Sequence, residues 1–321
     1  MPGNAEMETT SPMKILVLGA GATGGYFGGR MAASGADVTF LVRPARAEKL
    51  SRDGLIIESP FGNLKTAVKT VTRETLTGAY DVVLLSCKSY DLASSIEDIR
   101  PAIGKSTQVL PLLNGIKHLD DLDAAFSRDH VLGGLCHLSV TLSPDGVVQH
   151  LNKLHLLTFG PRVSGQIKLC RDLVPVMERS GFAPKLSPNV IVDMWGKWVL
   201  LATLAGLTCL MRASVGEIIG TRDGHYLTLV FIDECAEIAL LNGYPLPDAQ
   251  LKHIGDLLTD PSSQVVASMR RDMQRGAQIE GDHIIGDMLA RGEAKGIQPL
   301  MLRIAYANAE AYQNRRPVTA I

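Results

Sequence analysis

Between Lys14 and Arg43 the chain reads KILVLGAGATGGYFGGRMAASGADVTFLVR, and this stretch limits the fold more than any other. Five residues of buried-strand character, Lys14 to Leu18, break at Gly19-Ala20-Gly21-Ala22-Thr23-Gly24. A small-residue helix is expected from there to about Ala33, and after a turn at Gly35 a second apolar run, Val38 to Val42, follows. Strand, glycine-rich turn, helix, strand is the context in which G-x-G-x-x-G signals a dinucleotide site rather than a chance run of glycines. Gly19 permits the tight turn, Gly21 lets a pyrophosphate approach the backbone, and Gly24 lets the helix pack against the strand. Ala20, Ala22 and Thr23 complete the turn, and the helix N-terminus offers free N–H groups and a positive dipole end to phosphates.

The end of the second strand refines the cofactor. An NAD site places Asp or Glu there for the ribose 2′-hydroxyl. Here the strand ends Val42-Arg43-Pro44, with Arg46 beyond and no acid before Glu48. A guanidinium suits a 2′-phosphate, so Arg43 points to NADP(H).

At 321 residues the chain exceeds one typical domain, and 46% apolar residues supply a large core. A net charge of −1 gives no basic field for nucleic acid. The five cysteines, Cys87, Cys136, Cys170, Cys209 and Cys235, form no C-x-x-C, and with no signal peptide they suggest reduced thiols in a cytoplasm. No H-E-x-x-H or zinc-spaced cluster appears among the eight histidines, so no metal is expected. Residues 1–12 read as a disordered leader. The longest apolar run, Trp198 to Met211, is too short to span a bilayer and reads as a buried helix. No membrane association is expected.

Further along, Gly54 to Glu58 and Lys65 to Val68 flank Ser59-Pro60-Phe61-Gly62-Asn63, a hairpin signal. Asp81 to Leu85 and Gln108 to Leu113 are continuously apolar, as parallel strands covered on both faces are. Ligands gather at the carboxyl ends of such strands. Those ends carry Cys87-Lys88-Ser89 and Asn114-Gly115, although a surface lysine and a turn asparagine would look the same. Residues 131–160 predict two strands around Ser143-Pro144-Asp145-Gly146, an antiparallel closure of the first domain. Beyond Ser187-Pro188 the spacing turns helical, over 189–220, 223–242, 246–258, 262–275, 281–294 and 298–313. The fold class is therefore α/β: a Rossmann dinucleotide-binding domain over 13–188, then an all-helical domain over 189–321.

Few charges in the helical half sit in apolar company. Lys197, in Trp195-Gly196-Lys197-Trp198, shares a helical face with Leu201, Leu204, Ala205 and Thr208. A lysine on that face is either a desolvated proton donor of lowered pKa or a snorkelling surface lysine. Glu280 opens a predicted helix and by itself reads as an acid favoured by the helix dipole. Ser268 says little alone. Asp120, Asp121 and Asp123 lack the glycine and terminal glutamate of a calcium loop.

From Met13 to about Tyr312 the chain resembles the ketopantoate reductases (2-dehydropantoate 2-reductases). The resemblance rests on GAGATGG, Arg43, Cys87-Lys88, Leu113-Asn114-Gly115, His137, Trp195-Gly196-Lys197, Ser214-Val215-Gly216-Glu217-Ile218, Ser268-Met269 and Ile279-Glu280-Gly281-Asp282. It implies a helical C-terminal domain resembling that of 6-phosphogluconate dehydrogenase, and NADPH-dependent reduction of a 2-oxo acid, ketopantoate first. It also implies roles: Lys197 as proton donor, Glu280 at the cofactor and substrate hydroxyl, and Ser268 on substrate. Asn114 and Lys88 would lie near the nicotinamide, and Ser139 where a backbone contact to the cofactor falls. A homodimer through the helical domain is compatible with it, although no apolar stripe singles out an interface.

Three positions depart from that family. Asparagines one and two turns after the lysine are replaced by Leu201 and Ala205, and a third, before Gly216-Glu217, by Val215. Each missing polar group costs a buried substrate oxygen about 1–3 kcal/mol. The expectation is a more apolar pocket, with Thr203 or Thr208 as alternative donors. A paralogue that prefers an apolar 2-oxo acid and a non-catalytic NADP(H) sensor are the competing readings.

Overall fold

Alternate residues of the first strand face two different cores. Leu16 and Leu18 of β1 (Lys14–Leu18) point into one apolar cluster, Ile15 and Val17 into the other, and all four are buried. A strand apolar on both faces can settle only inside a sheet covered on both sides. In this computed structural model, which describes residues 12–316, β1 is the central strand of such a sheet. The leader expected over 1–12 lies outside the described residues, Pro12 excepted.

From β1 the chain passes through α1 (Ala22–Ala33), β2 (Asp37–Leu41), α2 (Pro44–Asp53), β3 (Leu55–Glu58), β4 (Leu64–Thr66) and β5 (Lys69–Val71). There follow β6 (Val82–Leu85), α3 (Leu92–Ile99), β7 (Gln108–Pro111) and α4 (Lys117–Phe126). The first sheet has the order β5-β2-β1-β6-β7, parallel throughout, with Ile15 opposite both Val38 and Val82. Its order reverses at β1, which opens a crevice at the carboxyl ends of β1 and β6.

The expected closure over 131–160 differs in placement. β8 (Gly133–Leu142) and β9 (Val148–Gly160) are antiparallel, but they belong to a second sheet. The 54–68 hairpin offers β3 as an edge, and β9 pairs with it in parallel at Ile57–Val148. After α5 (Ile167–Glu178), β10 (Ala183–Leu186) pairs in parallel with Leu156–Phe159 of β9, on the edge opposite β8 that β3 also uses.

The helical half comprises α6 (Val190–Met211), α7 (Val215–Ile219), α8 (Gly224–Leu241), α9 (Asp248–Leu258), α10 (Ser268–Gln274), α11 (Asp287–Glu293) and α12 (Leu300–Arg315). A π-helical turn, Asp282–Gly286, leads into α11. Two predicted helices are interrupted. The 189–220 segment breaks where Arg212 turns left-handed (φ 54°) and a Ser214–Glu217 capping box starts α7. The 262–275 segment is helical only from Ser268, because Val215 and Gly216 donate their N–H groups to the Val265 and Ser263 carbonyls and hold that strand of chain extended.

By length and apolarity α6, at 22 residues, is sufficient to cross a membrane, but it is packed among α8, α10 and α12 as the core of this half. Trp195 and Trp198 are almost wholly buried and share one cluster with Leu16, Leu18, Val83 and Leu85 of the first sheet. Each such side chain contributes about 1.5–3 kcal/mol. The two halves thus share a core, and α6 delivers Lys197 to their junction.

Candidate active site

The glycine-rich turn folds as its residues require. Gly19 takes φ 83° and donates its N–H to the Leu41 carbonyl at 2.9 Å, closing β1 onto β2. A Cβ on Gly24 would overlap Ser86 Oγ and the Gly19 carbonyl, whereas one on Gly21 would meet open space. Ala22 and Thr23 begin α1, whose N-cap, Gly21, carries no side-chain cap. The turn borders a cleft of about 680 Å³ that also takes in Arg43, Arg46, Arg73, Ser86 and Cys87.

Two arginines follow β2 and do different things. Arg43 is the N-cap of α2 and is exposed. Arg46 reaches back, and its Nη2 donates to the carbonyls of Ala20 (2.9 Å) and Gly146 (3.1 Å). Its Nε is buried without a partner, and it forms no carboxylate ion pair among the described residues. Burial lowers its pKa. A cation held under the turn by neutral carbonyls alone fits a cleft that receives phosphate. The sequence displayed Arg46, but its approach to Ala20 depends on how α2 packs.

At the junction of the two halves, residues from both sides converge. Lys88 follows β6 and lies 3.1 Å from Glu280 and 3.4 Å from Asp272. The Ser89 N–H donates to the other Glu280 oxygen at 3.0 Å. Burial alone would lower the Lys88 pKa, but Glu280 and Asp272 outweigh it and raise the ammonium above its ordinary value. Asn114 follows β7 and accepts a 2.9 Å hydrogen bond from Lys197 Nζ. Lys197 is partly buried, and burial lowers its pKa against weaker upward pulls from Cys136 and Glu280. His137, on β8, is pushed down to about 4 by burial and then by the Lys197 charge.

Lys197 and Glu280 do not form an ion pair; each binds the first half through a different residue, Asn114 and Lys88. Their separation follows from placement, Lys197 in mid-α6 and Glu280 before the π-turn. Ser268 is exposed at the start of α10, one turn before Asp272. Asp272 was missed; only its spacing from Ser268 could have suggested it. The Ser139 N–H donates to Asn152 Oδ1 at 3.2 Å, at an irregularity in the β8–β9 register.

The replaced asparagine positions divide. Leu201 keeps partial exposure one turn from Lys197, whereas Ala205 and Val215 are buried in the core. Neither threonine offers a substitute. Thr208 Oγ1 donates to the Leu204 carbonyl (2.7 Å) and accepts from the Ala267 N–H (3.3 Å). Thr203 is wholly buried, beside Cys235. The expectation that either supplies the lost hydrogen bonds is therefore corrected.

A Rossmann sheet with a glycine-rich turn, packed against a helical half that brings Lys197 to the junction, is the architecture of a dinucleotide-dependent oxidoreductase. The family described as Ketopantoate reductase PanE/ApbA matches residues 15–163, and Ketopantoate reductase PanE/ApbA C terminal matches 189–313. The chain belongs to the ketopantoate reductase family. It is 35% identical over 301 residues to the uncharacterized oxidoreductase YkpB of Bacillus subtilis, covering 94% of this chain and 99% of that protein. It is 26% identical over 307 residues to the 2-dehydropantoate 2-reductase of Pyrococcus horikoshii, covering 94% and 98%. Among solved structures, a PanE/ApbA family ketopantoate reductase from Ralstonia eutropha superposes with TM-score 0.84 at 26% identity over 95% of this chain and 99% of that one. D-mandelate dehydrogenase, solved with NADH and anilino(oxo)acetate, superposes with TM-score 0.85 at 22% identity over 94% and 99%.

Proposed function

We propose that the protein reduces a 2-oxo acid to the 2-hydroxy acid with NADPH, Lys197 supplying the proton. The observation that carries this reading is the Lys197–Asn114 contact: a partly buried ammonium aimed by a neutral acceptor at the junction of the two halves. Gly19 to Gly24 and Arg46 would hold the diphosphate, and exposed Arg43 a 2′-phosphate. The bound reduced nicotinamide supplies hydride to C2 of the substrate.

Lys197 then has two tasks. It donates a proton to the developing C2 alkoxide, and until transfer its charge stabilises that oxygen. Asn114 orients the ammonium without neutralising it. Glu280 and Asp272 hold Lys88 across the junction, which keeps the two halves together around the reacting atoms and excludes water. Lys197→Ala tests the reading, with turnover expected to fall about 10²–10⁴-fold while NADPH still binds.

A second reading concerns the substrate. Ketopantoate is the family's named substrate, but Leu201 stands where the family places a polar partner for its hydroxyl, Thr208 is hydrogen-bonded to Leu204 and Ala267, and Thr203 is sealed in the core. These residues favour a 2-oxo acid with an apolar substituent, to which the D-mandelate dehydrogenase likeness lends support. The five unpaired cysteines fit a cytoplasmic enzyme.

A further inference from the structure

Behind Asn114 lie two histidines that the reaction does not use. His118, in the first turn of α4, is wholly buried, and His283, in the π-helical turn, is nearly so. His118 Nδ1 and His283 Nε2 are 3.3 Å apart, with the rings stacked at 5.5 Å. His118 Nε2 is buried without a partner. A buried N–H without an acceptor costs more than a bare ring nitrogen facing apolar groups, so the His118 proton is assigned to Nδ1, which donates to His283 Nε2.

The pair touches the site directly. Gly115 has φ 74°, and a Cβ there would lie 3.2 Å from His283 Cδ2 and from the His283 carbonyl. The π-turn is pinned on both sides: the Ile284 N–H donates to the Glu280 carbonyl (3.0 Å), and the Ile284 carbonyl accepts from Trp198 Nε1 (2.9 Å). The Asn114–Gly115 turn is therefore pressed between its own α4 and a rigid turn tied to Glu280 and to the neighbour of Lys197. π-turns of this kind gather at functional sites.

We propose that His118 and His283 form a neutral, hydrogen-bonded pair across the domain junction that positions the Asn114–Gly115 turn, and through Asn114 aims Lys197. The proposal rests on Lys197 being the proton donor. The charged groups around the pair are Arg162 and Lys197 toward His118, and Glu280, Asp287 and Lys117 toward His283. Burial lowers both imidazoles, so they stay neutral where free histidine begins to charge.

The test combines imidazole nitrogen NMR of the full chain with His283→Phe and His283→Gln. His118 is expected as the Nδ1–H tautomer, titrating well below the free-histidine value of about 6.5. His283→Phe is expected to move the Asn114 side-chain amide resonance and to lower kcat at least about tenfold at unchanged NADPH affinity. His283→Gln, which keeps an acceptor for His118, is expected to recover most of both. An Nε2–H tautomer of His118, titration near pH 6.5, or a His283→Phe protein with kcat and Asn114 resonance unchanged would overturn the proposal. If His283→Phe does not fold, the wild-type tautomer and His283→Gln decide. Absence of turnover on every 2-oxo acid by the wild type would refute the reductase reading instead, and the two NMR readouts would still judge the pair.

Discussion

Lys197 Nζ meets Asn114 Oδ1 at 2.9 Å, so the acceptor that fixes the ammonium is an amide, not a carboxylate. An amide orients the charge without stabilising it as an anion would, and burial therefore lowers the pKa from its ordinary 10.5. The donor must be protonated for reduction, so kcat/KM for the 2-oxo acid is expected to fall as pH rises through that lowered value. Oxidation of the hydroxy acid is expected to rise over the same range. Asn114→Asp places a carboxylate beside the ammonium and is expected to move both limbs upward by about one unit or more. A pH–rate profile of the two proteins checks it.

Lys88 joins Glu280 and Asp272 across the junction with its own side chain 44% exposed, so its ion pairs are screened. Glu280→Gln is expected to cost about 1–2 kcal/mol, less than for a fully buried pair. The raised pKa of Lys88 fixes the sign with pH. Its contribution is complete below about 10.4, the unfolded value, and is lost as pH rises through the folded one. Denaturant titrations of both proteins at neutral and alkaline pH measure this.

The two arginines after β2 are expected to separate in kinetics. Arg43 is exposed and free to meet a 2′-phosphate, so Arg43→Ala is expected to raise KM for NADPH about tenfold and leave NADH nearly unchanged. Arg46 supports the turn itself, so Arg46→Ala is expected to weaken both cofactors alike. Equal effects of Arg43→Ala on both would contradict the NADPH assignment.

Restoring polarity tests the pocket. Leu201→Asn is expected to shift preference toward hydroxylated 2-oxo acids by about tenfold or more, since a recovered buried hydrogen bond is worth about 1–3 kcal/mol. An unchanged ranking of substrates would show that this position does not set specificity.

How much of this was readable in the sequence follows from range. The continuous apolarity of Val82–Leu85 and Gln108–Pro111 reported parallel strands because it reflects burial on both faces, a local property. The Gly19–Gly24 turn was legible for the same reason. Lys197 stood out by its apolar helical face, but nothing local tied it to Asn114, 83 positions earlier, or Glu280 to Lys88, 192 positions earlier. Helix 189–220 was overextended because the pattern stays apolar past Met211, while the break comes from Ser214 capping a new helix. The His118–His283 contact spans 165 positions and has no sequence signature.

The most direct measurement is NADPH oxidation by wild type and Lys197→Ala over a panel of 2-oxo acids that includes ketopantoate. The account expects wild-type turnover, fastest on an apolar 2-oxo acid, and a Lys197→Ala protein that binds NADPH but loses about 10²–10⁴ in kcat. NADPH binding by the wild type with no turnover on any 2-oxo acid, or full activity in Lys197→Ala, would contradict it, and the first result would favour a dinucleotide sensor.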